Sequence, residues 1–167
     1  SLLKPFYRSQ TPSAEAAEWG RPRKIGVSVK ENFDQTARFR GGLVSRTLFD
    51  TVASCQNRFL TCCGPLLHKR RAGGFIADGH GDLRVEHVHF SEEEVNIFDC
   101  IEFNDRFRYV DIANDIAFLA MDLDFRGRRD LAAYLVGKTA EMMDDPDLPA
   151  LNGFYMSYRA WVRAKVH

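Results

Sequence analysis

The chain of 167 residues is short of several things that would place it quickly. It has no net charge, because 23 Lys and Arg balance 23 Asp and Glu. That balance gives no support for a nucleic-acid or membrane-surface partner. No apolar run approaches the ~20 residues that cross a bilayer, and the N-terminus lacks the charged-then-apolar pattern of a secretory signal. Cytoplasm is the default expectation. There are only four cysteines, Cys55, Cys62, Cys63 and Cys100, without a CxxC pair. They are expected to be reduced side chains that pack as small apolar groups. There is no GxxxxGKS/T phosphate loop, no Gly-rich strand-turn-strand, no internal repeat and no low-complexity tract.

What remains is an ordinary globular composition, 45% hydrophobic and 28% charged, long enough for one core. Residues 1 to 10 carry no periodic signal, and Pro5 suggests a loose lead-in. Thr11 or Ser13 can cap a short helix to Glu18, with Pro12 suited to the first turn and Gly20 to the exit. A second helix follows Pro22 with Ile25, Val29 and Phe33 on one face. A third starts near Ser45, with Leu48, Val52, Cys55 and Phe59 as its stripe, and Gly64 and Pro65 interrupt it. The basic run His68 to Arg71 then sits at a helix C-terminus, which favours cations. Later, Asp111 caps a helix to Phe125, and Asp130 caps another with Leu131, Tyr134, Leu135 and Met142 inward. The acidic stretch Asp144 to Pro149 breaks the chain before a last helix bearing Leu151, Phe154, Tyr155, Tyr158, Val162 and Val166.

Between these helices, Asp78 to Asn104 reads DGHGDLRVEHVHFSEEEVNIFDCIEFN. Val88 to Phe90 and Val95 to Phe98 are rich in β-branched and aromatic residues, and Ser91 to Glu94 is polar, so the segment reads as a hairpin preceded by a short strand at Phe75 to Ala77. Asp82 and Asp99 then fall at the same end of that hairpin. Two carboxylates so placed suit binding of a hard cation such as magnesium, or a division of general-base and metal-binding roles. Phosphoryl transfer uses both. The segment from Asp105 to Val110 is mixed and expected to be a loop with partial ordering. Asp115 lies at the edge of its helix stripe, where a carboxylate needs donors, and the backbone amides of the turn at His80 to Leu83 are suitable ones.

HGDL with IFD on the return strand resembles the catalytic loop and metal-binding segment of the aminoglycoside phosphotransferase and choline-kinase-like family, relatives of protein kinases. The wider text GFIADGHGDLRVEHV, FDCIEFNDRFRYVDIANDIAFLAMDLD and YRAWVRAKV is similar to the bacterial branch in which a P-loop ATP-binding domain often follows. The resemblance implies an α+β, mostly helical C-terminal lobe of a protein-kinase-like fold, with helices around a small catalytic-loop hairpin and the N-lobe absent. It implies ATP and magnesium, and a small-molecule hydroxyl acceptor. Asp82 is then the base, with His80 supporting the loop; Asp99 is the metal ligand, and Asp115 the helix acid that holds the loop's backbone. Arg84 and His87 fall on the ATP side. The family pattern has an asparagine five residues after the catalytic acid, and His87 stands there; it is either a second metal contact or a hydrogen-bonding replacement.

No strand lysine precedes the motif, since Lys24 and Lys30 fall in a helix, so the chain is expected to bind ATP weakly and turn over little without an N-lobe. Two other classes stand beside this reading. One is a non-catalytic kinase-like binding module. The other is a metal-dependent hydrolase using the array His80, Asp82, His87 and His89, the last two sharing a strand face.

Overall fold

The computed structural model describes residues 3–9, 13–92 and 94–166. It is mostly helical with two small antiparallel sheets, an α+β arrangement. The expected cap Thr11, the first-turn Pro12 and the terminal His167 lie outside the described residues.

The lead-in is not loose. Leu3–Arg8 forms a short helix, α1, with Tyr7 buried. Pro5 is tolerated because it falls in the first turn, where no backbone donor is needed. Ser13 caps α2 (Ala14–Trp19) by accepting from the Ala16 amide. Pro22 opens α3 (Pro22–Thr36), which buries Val29 and Phe33. Ser45 caps α4 (Arg46–Cys62) by accepting from the Leu48 amide.

The buried face of α4 differs from the expected stripe. Leu48 is 55% exposed and Cys55 is exposed, whereas Phe49 and Gln56 are buried. The face is rotated by one position because Phe49 joins an aromatic cluster with Phe33 at 5.4 Å and Trp161 at 5.3 Å between ring centroids. Gln56 donates to the Ser157 hydroxyl at 3.0 Å. Tertiary partners thus outweigh the one-dimensional periodicity.

α5 (Gly64–Ala72) follows after the break at Gly64 and Pro65. Its basic run is not simply a solvated helix end. Arg70 is fully buried and donates from Nε and Nη2 to Asp111 at 2.6 and 2.7 Å, and from Nη1 to Asp145 at 2.7 Å. Burial works against its charge, and the two carboxylates outweigh burial and hold the guanidinium above its ordinary value. Asp111 also caps the long central helix α7 (Ile112–Phe125) through the Ala113 amide. One arginine therefore ties α5 to that helix start and to the turn at Asp145. Arg70→Met should lower unfolding stability by roughly 3 kcal/mol in chemical denaturation, since a buried carboxylate pair is left without its cation.

Ile76–Asp78 (β1) pairs antiparallel with Tyr109–Asp111 (β4), Ala77 opposite Val110. The loop expected at Asp105 to Val110 is thus the short helix α6 (Asp105–Arg108), capped by Asn104, followed by a strand. Val88–Phe90 (β2) pairs with Val95–Ile97 (β3), His89 opposite Asn96, forming the expected hairpin. α7 is buried nearly all round against α8 (Arg129–Met143) and α9 (Leu148–Val166). Its Ala113, Ala117 and Ala120 are fully buried and allow close helix approach. Along α8 the buried residues are Ala132, Val136 and Thr139, while Leu131 and Tyr134 are exposed, Tyr134 by 67%. Asp130 is one of the first-turn residues of α8 and not its cap, which falls at Arg128 without a side-chain bond. Among the described residues no helix is long and apolar enough to cross a membrane.

Candidate functional site

The turn from His80 to Asp82 sits between β1 and the hairpin, and Asp115 on α7 anchors it from beneath. Asp115 is completely buried. Its Oδ2 accepts from the His80 amide at 2.7 Å and its Oδ1 from the Gly81 amide at 2.9 Å. Oδ2 also accepts from the Tyr7 hydroxyl at 3.0 Å. Burial first, and the Asp115 charge second, push the Tyr7 phenol well above its ordinary pKa. From the other side Arg159 on α9 donates to the Gly81 carbonyl at 3.0 Å and to Asn114 at 2.7 Å. The peptide groups on both sides of Gly81 are therefore fixed.

Gly81 itself has φ +77, in the left-handed region. A Cβ there would lie 2.5 Å from the Phe107 carbonyl oxygen. Gly81→Ala should cost roughly 2 to 3 kcal/mol of stability by denaturation, combining backbone strain with a contact that must move.

Two imidazoles stitch the turn to the hairpin. His80 Nδ1 accepts from the Asp82 amide at 3.3 Å, so its Nε2 donates to the Phe98 carbonyl at 2.8 Å. His87 is buried; its Nδ1 donates to the Asp82 carbonyl at 2.8 Å, which leaves Nε2 as the acceptor nitrogen. The two rings stack 5.8 Å apart. Backbone bonds complete the seam, from the Phe98 amide to the His87 carbonyl at 3.1 Å and from the Ile101 amide to the His80 carbonyl at 2.9 Å. Between Phe98 and Ile101 the chain turns sharply, with Asp99 at φ 63. A left-handed aspartate held between two such bonds projects outward, and its side chain is 73% exposed. Its Oδ2 lies 3.3 Å from His87 Nε2. Asp82 approaches the same imidazole, its Oδ2 3.7 Å from Nδ1. The two acids do meet at one end of the hairpin, with His87 between them.

Arg84 is not a free cation. It donates from Nε and Nη2 to the two Asp82 oxygens at 3.0 and 2.8 Å, and it pairs with Glu86. Its Nη2 also lies 3.3 Å from His87 Nε2. Burial opposes its charge, yet the Asp82 bonds outweigh burial and hold the guanidinium above its ordinary value. His89 goes elsewhere: it is an exposed strand residue opposite Asn96, whereas His87 lies in a buried single turn before the strand. The expected shared face of His87 and His89 is therefore absent, and among the described residues no group of three or more His, Cys, Asp or Glu side chains is arranged to hold a metal.

Four contributors escape a reading of the sequence. Tyr7 and Arg159 reach the loop from opposite ends of the chain. Glu86 joins Arg84, and Asp122 on α7 accepts from the Val85 amide at 2.9 Å. A signal for Asp122 does exist, since Asp111, Asp115 and Asp122 recur at spacings of four and seven on one apolar helix. Arg159 likewise interrupts the stripe of Leu151 and Tyr155 at the same interval of four.

No family model matches the chain, and no solved structure matches it. Over 136 residues it is 37% identical to uncharacterized proteins of Mycobacterium bovis and of Mycobacterium tuberculosis strains CDC 1551 and H37Rv, an overlap covering 81% of this chain and 27% of each relative. The chain thus spans little more than a quarter of the length of these relatives.

Proposed function

We propose that the chain is the acceptor-side lobe of a kinase-like, ATP-dependent phosphotransferase acting on a hydroxyl of a small molecule. The observation that carries this is the pinned turn. Asp115 and Arg159 fix the amide and carbonyl of Gly81, which presents Asp82 with its side chain 27% exposed on one side of the His87 imidazole and the outward Asp99 on the other. Phosphoryl transfer asks chiefly for positioned groups and neutralised charge, so a rigid turn bearing one acid, with a second exposed acid across the His87 imidazole, suits it. On this reading Asp82 Oδ accepts the hydrogen bond, and then the proton, of the acceptor hydroxyl. His80 and His87 hold the turn against the hairpin.

Magnesium is usually bound through one or two carboxylates, with phosphate oxygens and water completing its octahedron, and not by a protein cage. An exposed Asp99 fits that mode. Bound there, magnesium would supply charge neutralisation for the phosphoryl group. An imidazole is a poor magnesium ligand, and the hydrogen bond of His87 to the Asp82 carbonyl favours the scaffold role over the second metal contact. Arg84, bound to Asp82 and Glu86, is better suited to holding Asp82 than to contacting phosphate. The phosphate-contacting loop and lysine would come from another part of the protein.

The test is magnesium-dependent ATP turnover by the full-length protein over a panel of hydroxyl-bearing acceptors, with Asp82→Asn as the control. A specific observation favours a second reading, a non-catalytic binding module: Arg84 occupies both Asp82 oxygens. Nucleotide binding without turnover on any acceptor would select the module.

A further inference from the structure

The apolar stripe that the sequence marks on α4 is only partly covered by the rest of the chain. Leu48, Val52, Cys55 and Phe59 recur at the four-and-three spacing of a heptad, yet the helix buries Phe49 and Gln56 instead. Leu48 and Cys55 are exposed, and Val52 and Phe59 are half-buried. Across from them α9 presents small residues, Gly153, Ser157, Ala160 and Ala164, at the same intervals. Two cavities of about 230 and 640 Å³ lie along the seam of the two helices and meet at Ser157. Phe59, stacked on Phe154 at 4.3 Å, lines the smaller one, and Phe39, Leu43 and Val166 wall the larger. Leu43 is 85% exposed and Val166 68%, so large apolar side chains stand in water at one end of the groove. From Leu48 to Phe59 it runs for about 16 Å, roughly three helical turns.

The charges beside this groove have one sign. Among the described residues its lining holds Arg38 and Lys165 and no acid. Arg38 lies over the Phe39 ring, and Lys165 donates to the neutral Asn32 at 2.8 Å. α9 contains no acid, and the single acid of α4, Asp50, is taken by Arg40 at 2.6 and 2.7 Å. We propose that the groove between α4 and α9 docks an acidic amphipathic helix of a partner protein, whose apolar side chains fill the space between the Leu48 stripe and the small residues of α9. A helix is the occupant that matches two stripes at heptad intervals, because its own apolar positions recur at three and four. A second copy laid face to face would bring Arg38 and Lys165 against the same cations, with no free acid to meet them. A bilayer surface is flat and does not follow a concave floor made by Gly153 and Ala160. None of the residues of the Asp82 turn takes part, so the groove is independent of the phosphotransferase reading.

The experiment follows the fluorescence anisotropy of a labelled synthetic peptide of about three heptads, with leucine at a and d and glutamate and alanine elsewhere, as this chain is added. A counterpart peptide carries lysine in place of glutamate. At low salt the acidic peptide should bind about tenfold more tightly than the lysine peptide or better, and the difference should shrink at ~1 M salt, where rim charges are screened. Ala160 is exposed on the groove floor and glutamate is a good helix former, so Ala160→Glu should keep the parent's circular dichroism. It should weaken the acidic peptide by about tenfold or more, because it fills the groove with a like charge. Arg38→Glu, also at an exposed position, changes the rim and not the floor, and it should bring the two peptides to within about threefold of each other. Equal affinity of the parent for both peptides, no binding of either, or binding that survives Ala160→Glu overturns the proposal. A dimer of the chain alone in sedimentation, lost in Ala160→Glu, would give the face to a second copy. Attachment to phosphatidylserine vesicles in place of peptide binding would give it to a membrane. Either of these results also overturns the proposal.

Discussion

Asp82→Asn should reduce ATP-dependent turnover by about 10²- to 10⁴-fold, the range expected when a positioned base is removed. The substitution is nearly isosteric, and an amide oxygen can still accept one bond from Arg84, so the fold should survive. Retained helical circular dichroism and an unfolding midpoint close to the parent's would show that. The rate should fall in kcat, because a base acts on the reacting hydroxyl and not on uniform substrate binding. A variant that keeps parental turnover would remove Asp82 from the chemistry. The rigid turn would then be a structural feature of a binding module.

Asp115→Ala should have the largest effect on stability, a loss of about 4 kcal/mol in urea unfolding, because a fully buried acceptor is removed from three donors at once. The donors are the His80 and Gly81 amides and the Tyr7 hydroxyl. None of them has an alternative partner created by the substitution, and the methyl group leaves a gap as well. Tyr7→Phe provides the scale, since it removes one of the three bonds and should cost about 1 kcal/mol. Hydrogen exchange gives a local reading: the His80 and Gly81 amides should lose protection in Asp115→Ala and keep it in Tyr7→Phe. Unchanged exchange at those amides would mean that the turn is held by the hairpin seam alone.

The hairpin from Val88 to Ile97 was legible because strand residues of the right type flank a polar connection, a signal contained within ten residues of chain. Helix starts at Ser45, Pro22 and Asp111 were legible for the same local reason, since a cap or a first-turn proline acts within its own turn. The strand Tyr109–Asp111 was not. Its three residues follow two arginines and pair with Ile76–Asp78, more than thirty positions away, and nothing in either triplet announces the other. The place of Arg70 at a helix C-terminus was legible but its burial was not, because that depends on Asp111 and Asp145 arriving from α7 and from the turn before α9.

The sequence by itself determined the main helices from Ser13 onward, the mostly helical character around a small hairpin and the placing of Asp82 and Asp99 at one end of that hairpin, all of which follow from short-range patterns. Tertiary structure alone decided which helix faces are buried, as at Phe49 and Ala132, because a face is chosen by the shape of its partner and several faces of one amphipathic helix are nearly equivalent. It also decided what surrounds the candidate site. Asp115 and Arg159 converge on Gly81 while Tyr7, from the other end of the chain, donates to Asp115, and Arg84 is turned inward onto Asp82. Such charges and hydroxyls leave water only when partners meet them at hydrogen-bond distance, and the partners are brought there by the packing of α7 against α9.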